Sequence, residues 1–457
     1  MCGISFIYSK NLDKQKLIKL MINELSHRGP DFKNHITFNR AAIAHSRLSV
    51  IDLNKRSNQP FFDNSRRYVI SFNGEIYNYN YLKKQLTDYD FKTESDTEVL
   101  LASYLKWKEK CLEKLNGMFA FVIYDTVNDS FFAARDRLGI KPLYYYIDEN
   151  KNFLLASEIK ALLKANIRIR PNENYFIDYI QTERRLYENE TCFNNIFPLT
   201  PGSYVKGKNN NLEFKKYYKL IEKIKLNYTD NIEDTTPFIE KQIDSSTDYR
   251  IQSDVPISLN FSGGLDSTLI LKSLSKKKNL NLKINTLFSN EISSEEIEYC
   301  KKIIEKINFL KNSEKIYIEN FFTHKEFKLE NVMKSLEMPF NRSHLIDRFL
   351  AYNSRQQGRI VILDGQGGDE AFLGYYSYVL SYIVDCITNL KFQNIFNIIG
   401  SNPINSYKQL LVDIGKSVFF RLLNKKEKID HVRKYLGWKL DEIIISNYVY
   451  KVNYLLN

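Results

Sequence analysis

The sequence predicts two domains of different class, an α+β domain on antiparallel sheet followed by an α/β domain on parallel sheet. Three observations carry that division. Up to about Val205 the apolar runs are short and strand-like, and turn-forming residues separate them. Beyond about Asp230 an apolar strand runs into a Gly-rich loop and then a helix, and this order occurs twice. Between the halves, the Lys- and Asn-rich stretch Lys206–Glu213 and the charged run after Tyr218 read as a linker over 206–229.

In the first domain, 1–205, the predicted strands are Gly3–Tyr8, Ala41–Val50, Arg67–Phe72, Phe119–Tyr124, Ser130–Ala134 and Asn152–Ala156. Helical stretches, Leu12–Leu25 and Thr97–Leu105, lie between them. In the second domain, 230–457, Val255–Phe261 is a strand running into Ser262-Gly263-Gly264 and the helical Thr268–Lys277. Arg359–Leu363 repeats the order, running into Gly365-Gln366-Gly367-Gly368. The late apolar stretch Tyr375–Ile399 is broken by Asp385 and Lys391 into pieces shorter than a membrane span, which predicts a buried helix.

Composition narrows the function classes. At 457 residues, 43% apolar and 26% charged, the chain can bury more than one core. The net charge of +12 is spread over Lys-rich surface stretches, and no basic run is interleaved with stacking aromatics, so nucleic acid is not an expected partner. The five cysteines, Cys2, Cys111, Cys192, Cys300 and Cys386, form neither a disulfide framework nor a CxxC pair. With no signal peptide seen, a reducing cytoplasm is the expected setting.

Chemistry begins at Met1-Cys2-Gly3. Loss of Met1 would leave Cys2 with a free α-amine beside its own thiol. An α-amine titrates near 8, so it can serve as general base without a histidine. A Cys at position 2 carries no signal alone. It is followed in order by His27-Arg28-Gly29-Pro30-Asp31, Ala44-His45-Ser46-Arg47, Phe72-Asn73-Gly74-Glu75, Ser95-Asp96-Thr97-Glu98 and Arg135-Asp136-Arg137-Leu138-Gly139-Ile140-Lys141-Pro142. Asn73-Gly74 by itself also reads as a type I′ hairpin turn. Later, Phe261-Ser262-Gly263-Gly264-Leu265-Asp266-Ser267 follows a strand and opens a helix, as an anion cradle does. It is neither a Walker loop nor a dinucleotide fingerprint.

On these residues the first 200 positions resemble the class II glutamine amidotransferases, specifically those of the asparagine synthetases. The Ser-Gly-Gly-x-Asp-Ser loop and Asp364-Gly365-Gln366-Gly367-Gly368-Asp369-Glu370 resemble the ATP pyrophosphatases of the same family. The resemblance implies an N-terminal-nucleophile sandwich (αββα), then an ATP-pyrophosphatase-like α/β domain with C-terminal helices. It implies Cys2 as nucleophile, with the Asn73 side chain and Gly74 N–H as the oxyanion hole. Arg47 would take the glutamine carboxylate, Leu48, Ser49, Val50 and Ile51 would line the site, and Asp96 and Glu75 would face the ammonium. His27 and His45 would be structural. Phe261, Ser262, Gly263, Gly264, Asp266, Ser267, Ser289, Asp364 and Gly365 would bind ATP, and Asp266 and Asp369 would hold Mg²⁺. The partners implied are glutamine, a carboxylate acceptor (aspartate or a sugar uronate) and, in a homodimer, a second copy of the chain; no membrane is expected.

Two departures from the family pattern keep alternatives open. Gln366 stands where the asparagine synthetases carry a Glu, and the resulting loop is closer to members thought to amidate uronic acids. Beyond Tyr378 the family's Arg-x-Pro-Phe-Leu-Asp stretch and its Lys before Leu-Arg are not found, so the synthetase half reads as incomplete at its C-terminus. Beside the amidotransferase stand a glutaminase with an inactive or truncated synthetase domain, and a non-catalytic binding subunit.

Overall fold

The computed structural model describes residues 1–182, 189–226, 236–277, 282–286, 294–306, 315–316, 329–339, 342–372, 374–391, 393–395, 412 and 414–415. The first domain contains β1 (Gly3–Tyr8), β2 (Phe32–Thr37), β3 (Ala41–Arg47), β4 (Phe61–Phe62), β5 (Tyr68–Ile76) and β6 (Gly117–Asp125). It continues with β7 (Ser130–Arg135), β8 (Tyr144–Ile147), β9 (Phe153–Ala156), β10 (Ile196–Pro198), β11 (Ser203–Lys208) and β12 (Asn211–Lys216). These form two six-stranded sheets, β10-β8-β9-β1-β3-β2 and β12-β11-β7-β6-β5-β4.

Side-chain alternation decides what each sheet face buries. Along β1, Ile4, Phe6 and Tyr8 enter a core shared with Val69, Ala120, Val122 and Phe131 of the second sheet. Ile7 points the other way, into a core with Ile18, Met21 and Ile22 of the helix Lys14–Glu24. On the far side of the second sheet, Ile70, Phe72 and Phe121 pack with Val99, Leu100 and Leu101 of the helix Asp96–Trp107. Three cores separate four layers, so the expected αββα sandwich is the fold.

Two readings of the sequence are corrected here. The stretch 206–216 is not a linker: it is the β11–β12 hairpin, turned by Asn209 and Asn210 at φ 51° and 65°. Both turn residues are left-handed, as a type I′ turn requires, and Asn tolerates that better than most side chains. Phe214 then packs at a tilt against Tyr145, ring centroids 5.0 Å apart, which ties the hairpin to the sandwich. Asn73-Gly74 is likewise no turn. It lies within β5, where Asn73 pairs with Ala120 and Gly74 with Phe119.

In the second domain β13 (Ile257–Asn260), β14 (Leu282–Asn285), β15 (Lys315–Ile316) and β16 (Val361–Leu363) form a parallel sheet in the order β15-β14-β13-β16. The sheet grows both ways from β13, so a switch point lies between the ends of β13 and β16, where open α/β sheets take their ligands. The helix Tyr376–Thr388 buries Ile383, Val384 and Cys386 but exposes Tyr376 and Asp385. It is a surface helix with one buried face rather than the buried helix expected over 375–399, and 396–399 lie outside the described residues. Among the described residues no helix is long and apolar enough to cross a membrane.

The hairpin supplies a test of the domain limit. A fragment of residues 1–218 should melt cooperatively, whereas one ending at Val205 loses half of β11, all of β12 and the Tyr145–Phe214 contact. Thermal denaturation should put the shorter fragment lower by at least about 5 °C. Equal melting temperatures would show that the hairpin contributes nothing to the sandwich.

Candidate active site

The register of β1 against β3 places the start of the chain. Gly3 pairs with Ser46, and a Cβ on Gly3 would lie 2.5 Å from Ser46 Oγ and 2.8 Å from Leu25 Cβ. Only glycine permits that approach, and it brings Cys2 to the end of β3. Cys2 Sγ lies 3.4 Å from Leu48 N and 3.6 Å from Leu48 O. Arg28 Nε donates to the Cys2 carbonyl at 2.7 Å. Burial pushes the Cys2 thiol up, while the adjacent terminal amine, Lys141 and Arg28 pull against that rise. Burial lowers the Met1 amine to about 5, with Arg28 and Lys141 contributing. The Met1 amine is therefore mostly neutral at pH 7.

Across the sandwich lies the end of β5. His45 is fully buried, and burial lowers it to about 3, so it is neutral. Its Nε2–H donates to Phe72 O at 2.9 Å, and Gln59 Oε1 accepts from Phe72 N at 2.7 Å. The Phe72-Asn73 backbone is thus held from both sides, and His45 is structural rather than a base. His27 is also no base for Cys2: its ring engages Glu24 O and Glu158. Asn73 is 1% exposed, and its Nδ2 has no hydrogen-bond partner. Burying an amide donor unpaired costs about 1–3 kcal/mol, so its position calls for an acceptor supplied from outside. Gly74 adds the next N–H; a Cβ there would sit 2.2 Å from Met118 O, so no side chain fits.

The groups expected to hold glutamine converge on the same place, with one revision. Arg47 ends β3 and is 4% exposed. Its Nη1 donates to Asn54 O and Asn58 Oδ1, and its Nη2 to Ile51 O and Asp52 O. Those contacts shape the 48–58 loop, so a ligand carboxylate must share or displace them. Leu48 faces Cys2, and Ser49 N donates to Asp31 Oδ2 at 2.7 Å. Asp96 opens the helix Asp96–Trp107, and its Oδ2 accepts from Ile76 N at 2.9 Å. Burial, with Glu75 contributing, raises Asp96 to about 7. Burial raises Glu75 too, opposed by Lys141, the terminal amine and Arg250. The pocket thus holds buried acid awaiting a cation.

In the second domain the two Gly-rich loops meet at the strand ends. Phe261 is buried and its N donates to Asn285 O at 2.8 Å. Ser267 Oγ accepts from Ser262 N and donates to Gly264 O, which curls the loop onto the helix Leu265–Ser275. Gly263 has φ 79° and Gly367 φ 97°, both left-handed. Asp364 Oδ1 accepts from Gln366 N at 3.2 Å. Gly365 and Gly368 press on Asp266, a Cβ on Gly368 falling 2.4 Å from its carboxylate. Burial and the charges of Asp369 and Glu370 raise Asp266. A cleft of about 460 Å³ opens here, lined by Phe238, Arg250, Asp266, Asp364, Gly365 and Gln366 among others. Ser289 lies outside the described residues.

Several residues of the site had no assigned role in the sequence. Arg28, within a quoted motif, and Glu158 form an ion pair at 2.6 Å, and Lys160 joins Glu158 at 2.7 Å. Against the penalty of burial, the His27 hydrogen bond and the Arg28 and Lys160 charges hold Glu158 well below the ordinary carboxylate range. Lys141 is buried among Glu75, Arg28 and Cys2, and burial lowers its pKa. Asp254, Arg250 and Glu337 reach the first domain from the second: Arg250 lies 4.9 Å over the Tyr77 ring, and the other two are hydrogen-bonded to it. A charged residue in a nonrepeating connection gives no local pattern to read.

A cysteine opening an αββα sandwich that buries an unpartnered Asn73 amide, joined to a parallel-sheet domain with two Gly-rich loops, is the arrangement of a glutamine amidotransferase with a second, nucleotide-type domain. The family model described as glutamine amidotransferase domain matches residues 1–218, and that described as asparagine synthase matches 239–415. Putative asparagine synthetase [glutamine-hydrolyzing] 2 of Methanocaldococcus jannaschii is 30% identical over 439 residues, covering 88% of this chain and 80% of that protein. Asparagine synthetase [glutamine-hydrolyzing] 1 of Bacillus subtilis is 31% identical over 386 residues, covering 83% of this chain and 59% of that protein. Asparagine synthetase B of Escherichia coli is 34% identical over 279 residues, 59% of this chain and 44% of that protein. The chain belongs to the glutamine-hydrolysing asparagine synthetase family.

Asp96 gives a signed test of the free site. Its raised value means that the folded state favours the protonated acid. The stability this contributes is full below the unfolded carboxylate's value near 4 and is lost as pH rises through about 7. Asp96→Asn keeps an acceptor for Ile76 N without the charge. Its melting temperature should match the parent's near pH 4 and exceed it by several degrees at pH 8. A variant no more stable at pH 8 would show that ionised Asp96 is already compensated.

Proposed function

We propose that the protein is a glutamine-dependent amidotransferase that releases ammonia at Cys2 and transfers it to a carboxylate activated by ATP. The observation that carries this reading is the buried, unpartnered Asn73 Nδ2 beside the Gly74 N–H, on the strand that His45 fixes opposite the start of β1. The family membership supports it.

The proposed chemistry follows from the residues. With Met1 removed, the Cys2 α-amine accepts the Sγ proton as sulfur attacks the side-chain amide carbon of glutamine. The oxygen gains charge and is held by Asn73 Nδ2 and Gly74 N–H; loss of one such donor costs about 3–4 kcal/mol of barrier. The amine returns its proton to the leaving nitrogen, ammonia departs, and water cleaves the thioester to glutamate. Asp96 and Glu75 take the substrate ammonium. Arg47 and the Leu48–Ile51 loop take its carboxylate end.

In the second domain, Ser262, Gly263, Gly264, Ser267 and the Asp364-Gly365 backbone would hold ATP, with Phe261 and Ser289 beside the base. The donor set fits phosphate: serine hydroxyls and loop N–H groups gather at the start of an 11-residue helix. ATP supplies the activation of the acceptor as an acyl-adenylate, with pyrophosphate as leaving group. Asp266 and Asp369 would hold Mg²⁺, whose charge would oppose the burial and the Asp369 and Glu370 repulsion that raise Asp266. Among the described residues no group of three metal-type ligands forms, so phosphate oxygens and water would complete the coordination. The acceptor proposed is aspartate. A sugar uronate is the second reading, because uncharged Gln366 lines the cleft.

Glutamate release and AMP production, measured together with glutamine and a panel of carboxylates, test the whole reading. Cys2→Ala should abolish glutamate release and leave ammonia-driven AMP production intact. Asp96→Asn should raise KM for glutamine at least about tenfold, the worth of a charge-assisted hydrogen bond. Glutamate release without AMP would favour a glutaminase with an inactive second domain. Neither product would favour a binding subunit.

A further inference from the structure

We infer that two acidic residues of the second domain, Asp254 and Glu337, are positioning residues for the glutaminase chemistry, Asp254 setting the glutamine loop and Glu337 setting Cys2. This rests on the glutaminase reading above. Each residue reaches a different part of the first domain, and each contact leads by hydrogen bonds to a different part of the site.

Asp254 stands just ahead of β13. Its Oδ2 accepts from Asp52 N at 2.8 Å, and its N donates to Val50 O at 3.0 Å. Asp52 has φ 48°, a left-handed conformation that a side chain tolerates only when surroundings hold it. From inside, Arg47 Nη2 donates to Asp52 O, and Ser57 Oγ and Glu94 N donate to Asp52 Oδ2. The clamp from outside is Asp254. Releasing it frees the loop that carries Leu48–Ile51 and loosens Arg47 with it.

Glu337 follows the helix Leu329–Leu336 at φ 58°, the position where glycine usually ends a helix. A glutamate there is strained, and its carboxylate accounts for it. Oε2 accepts from Ile159 N at 2.8 Å and Oε1 from Lys160 N at 2.6 Å. A second bond, Cys192 Sγ to Glu337 O at 3.3 Å, anchors the same residue. The two N–H groups directly follow Glu158, which takes Arg28 Nη1 at 2.6 Å, and Arg28 Nε holds the Cys2 carbonyl at 2.7 Å. Glu337 thus fixes the turn that presents Glu158, and through Arg28 the placement of the nucleophile.

Simple domain adhesion would make the same contacts but would not separate their kinetic effects. Glutamate-release kinetics on the full chain make the distinction. Asp254→Ala should raise KM for glutamine about tenfold with kcat within about twofold, as loss of a charge-assisted bond to a binding loop predicts. Glu337→Ala should lower kcat at least about tenfold with KM within about twofold, as displacement of a reacting group predicts. Glu337→Gln, which keeps an acceptor for one N–H, should bring kcat back to within about threefold of the parent. If Glu337→Ala does not fold, judged by its thermal melt, Glu337→Gln carries the test, with an expected fall of about threefold in kcat at unchanged KM. Parallel changes of KM and kcat in both variants, or no change in either, would overturn the inference. Parent protein whose glutamate release survives Cys2→Ala would instead overturn the glutaminase reading, and this inference with it.

Discussion

Arg28 holds the start of the chain from within, Nε on the Cys2 carbonyl and Nη1 on Glu158, both inside 2.8 Å. Taking this pair out of water costs several kcal/mol per ion, and the pair survives only if the remaining polar atoms are met. Here His27 and Lys160 compensate it, both within 3.0 Å of Glu158 Oε2, and the turn after Glu158 is fixed by Glu337. The first strand, the segment after the first helix and the turn after β9 meet at this one guanidinium, and the second domain reaches that turn through Glu337. The nucleophile's position is therefore a property of the whole assembly rather than of β1 alone. Gly3 contributes the steric half of the same constraint, by allowing β1 to close on Ser46 and Leu25.

Much of this was legible in the sequence, for identifiable reasons. Short apolar runs bounded by turn-forming residues marked β1, β5, β6 and β7, which are buried along most of their length, and the repeated strand, Gly loop and helix marked the parallel sheet with its two loops. Helices were readable where a cap and an apolar stripe coincide, as at Ser95 before Asp96–Trp107. The failures were also physical. Lys206–Glu213 looked like a linker because its polar residues face water, yet Val205, Leu212 and Phe214 alternate and Asn209-Asn210 can adopt φ above zero. Asn73-Gly74 looked like a turn because the same dipeptide often is one. In this fold the glycine is required because a Cβ there would lie 2.2 Å from Met118 O on the neighbouring strand. The groups that would hold glutamine were visible as residue types, but Arg47's engagement with its own loop was not, because it depends on how residues 51–58 fold back.

The second domain presents its chemistry by extending two short strands. β13 begins three residues after Asp254, which grips the first domain, and ends one residue before the buried Phe261 that leads into Ser262. β16 ends where Asp364 turns into the second loop. Strands of this kind are stiff, so the loop ends and the interdomain grips sit on shared rigid elements.

Asp96 carries one more consequence. Any ammonium seated against it must meet an ionised carboxylate, yet near neutral pH the free site is only partly ionised. Binding would therefore expel a fraction of a proton into solution, and the buffer must absorb it. The heat measured on titrating such a ligand would then contain the buffer's own ionisation enthalpy. It would differ between phosphate and Tris at the same pH, with a slope that counts the protons released.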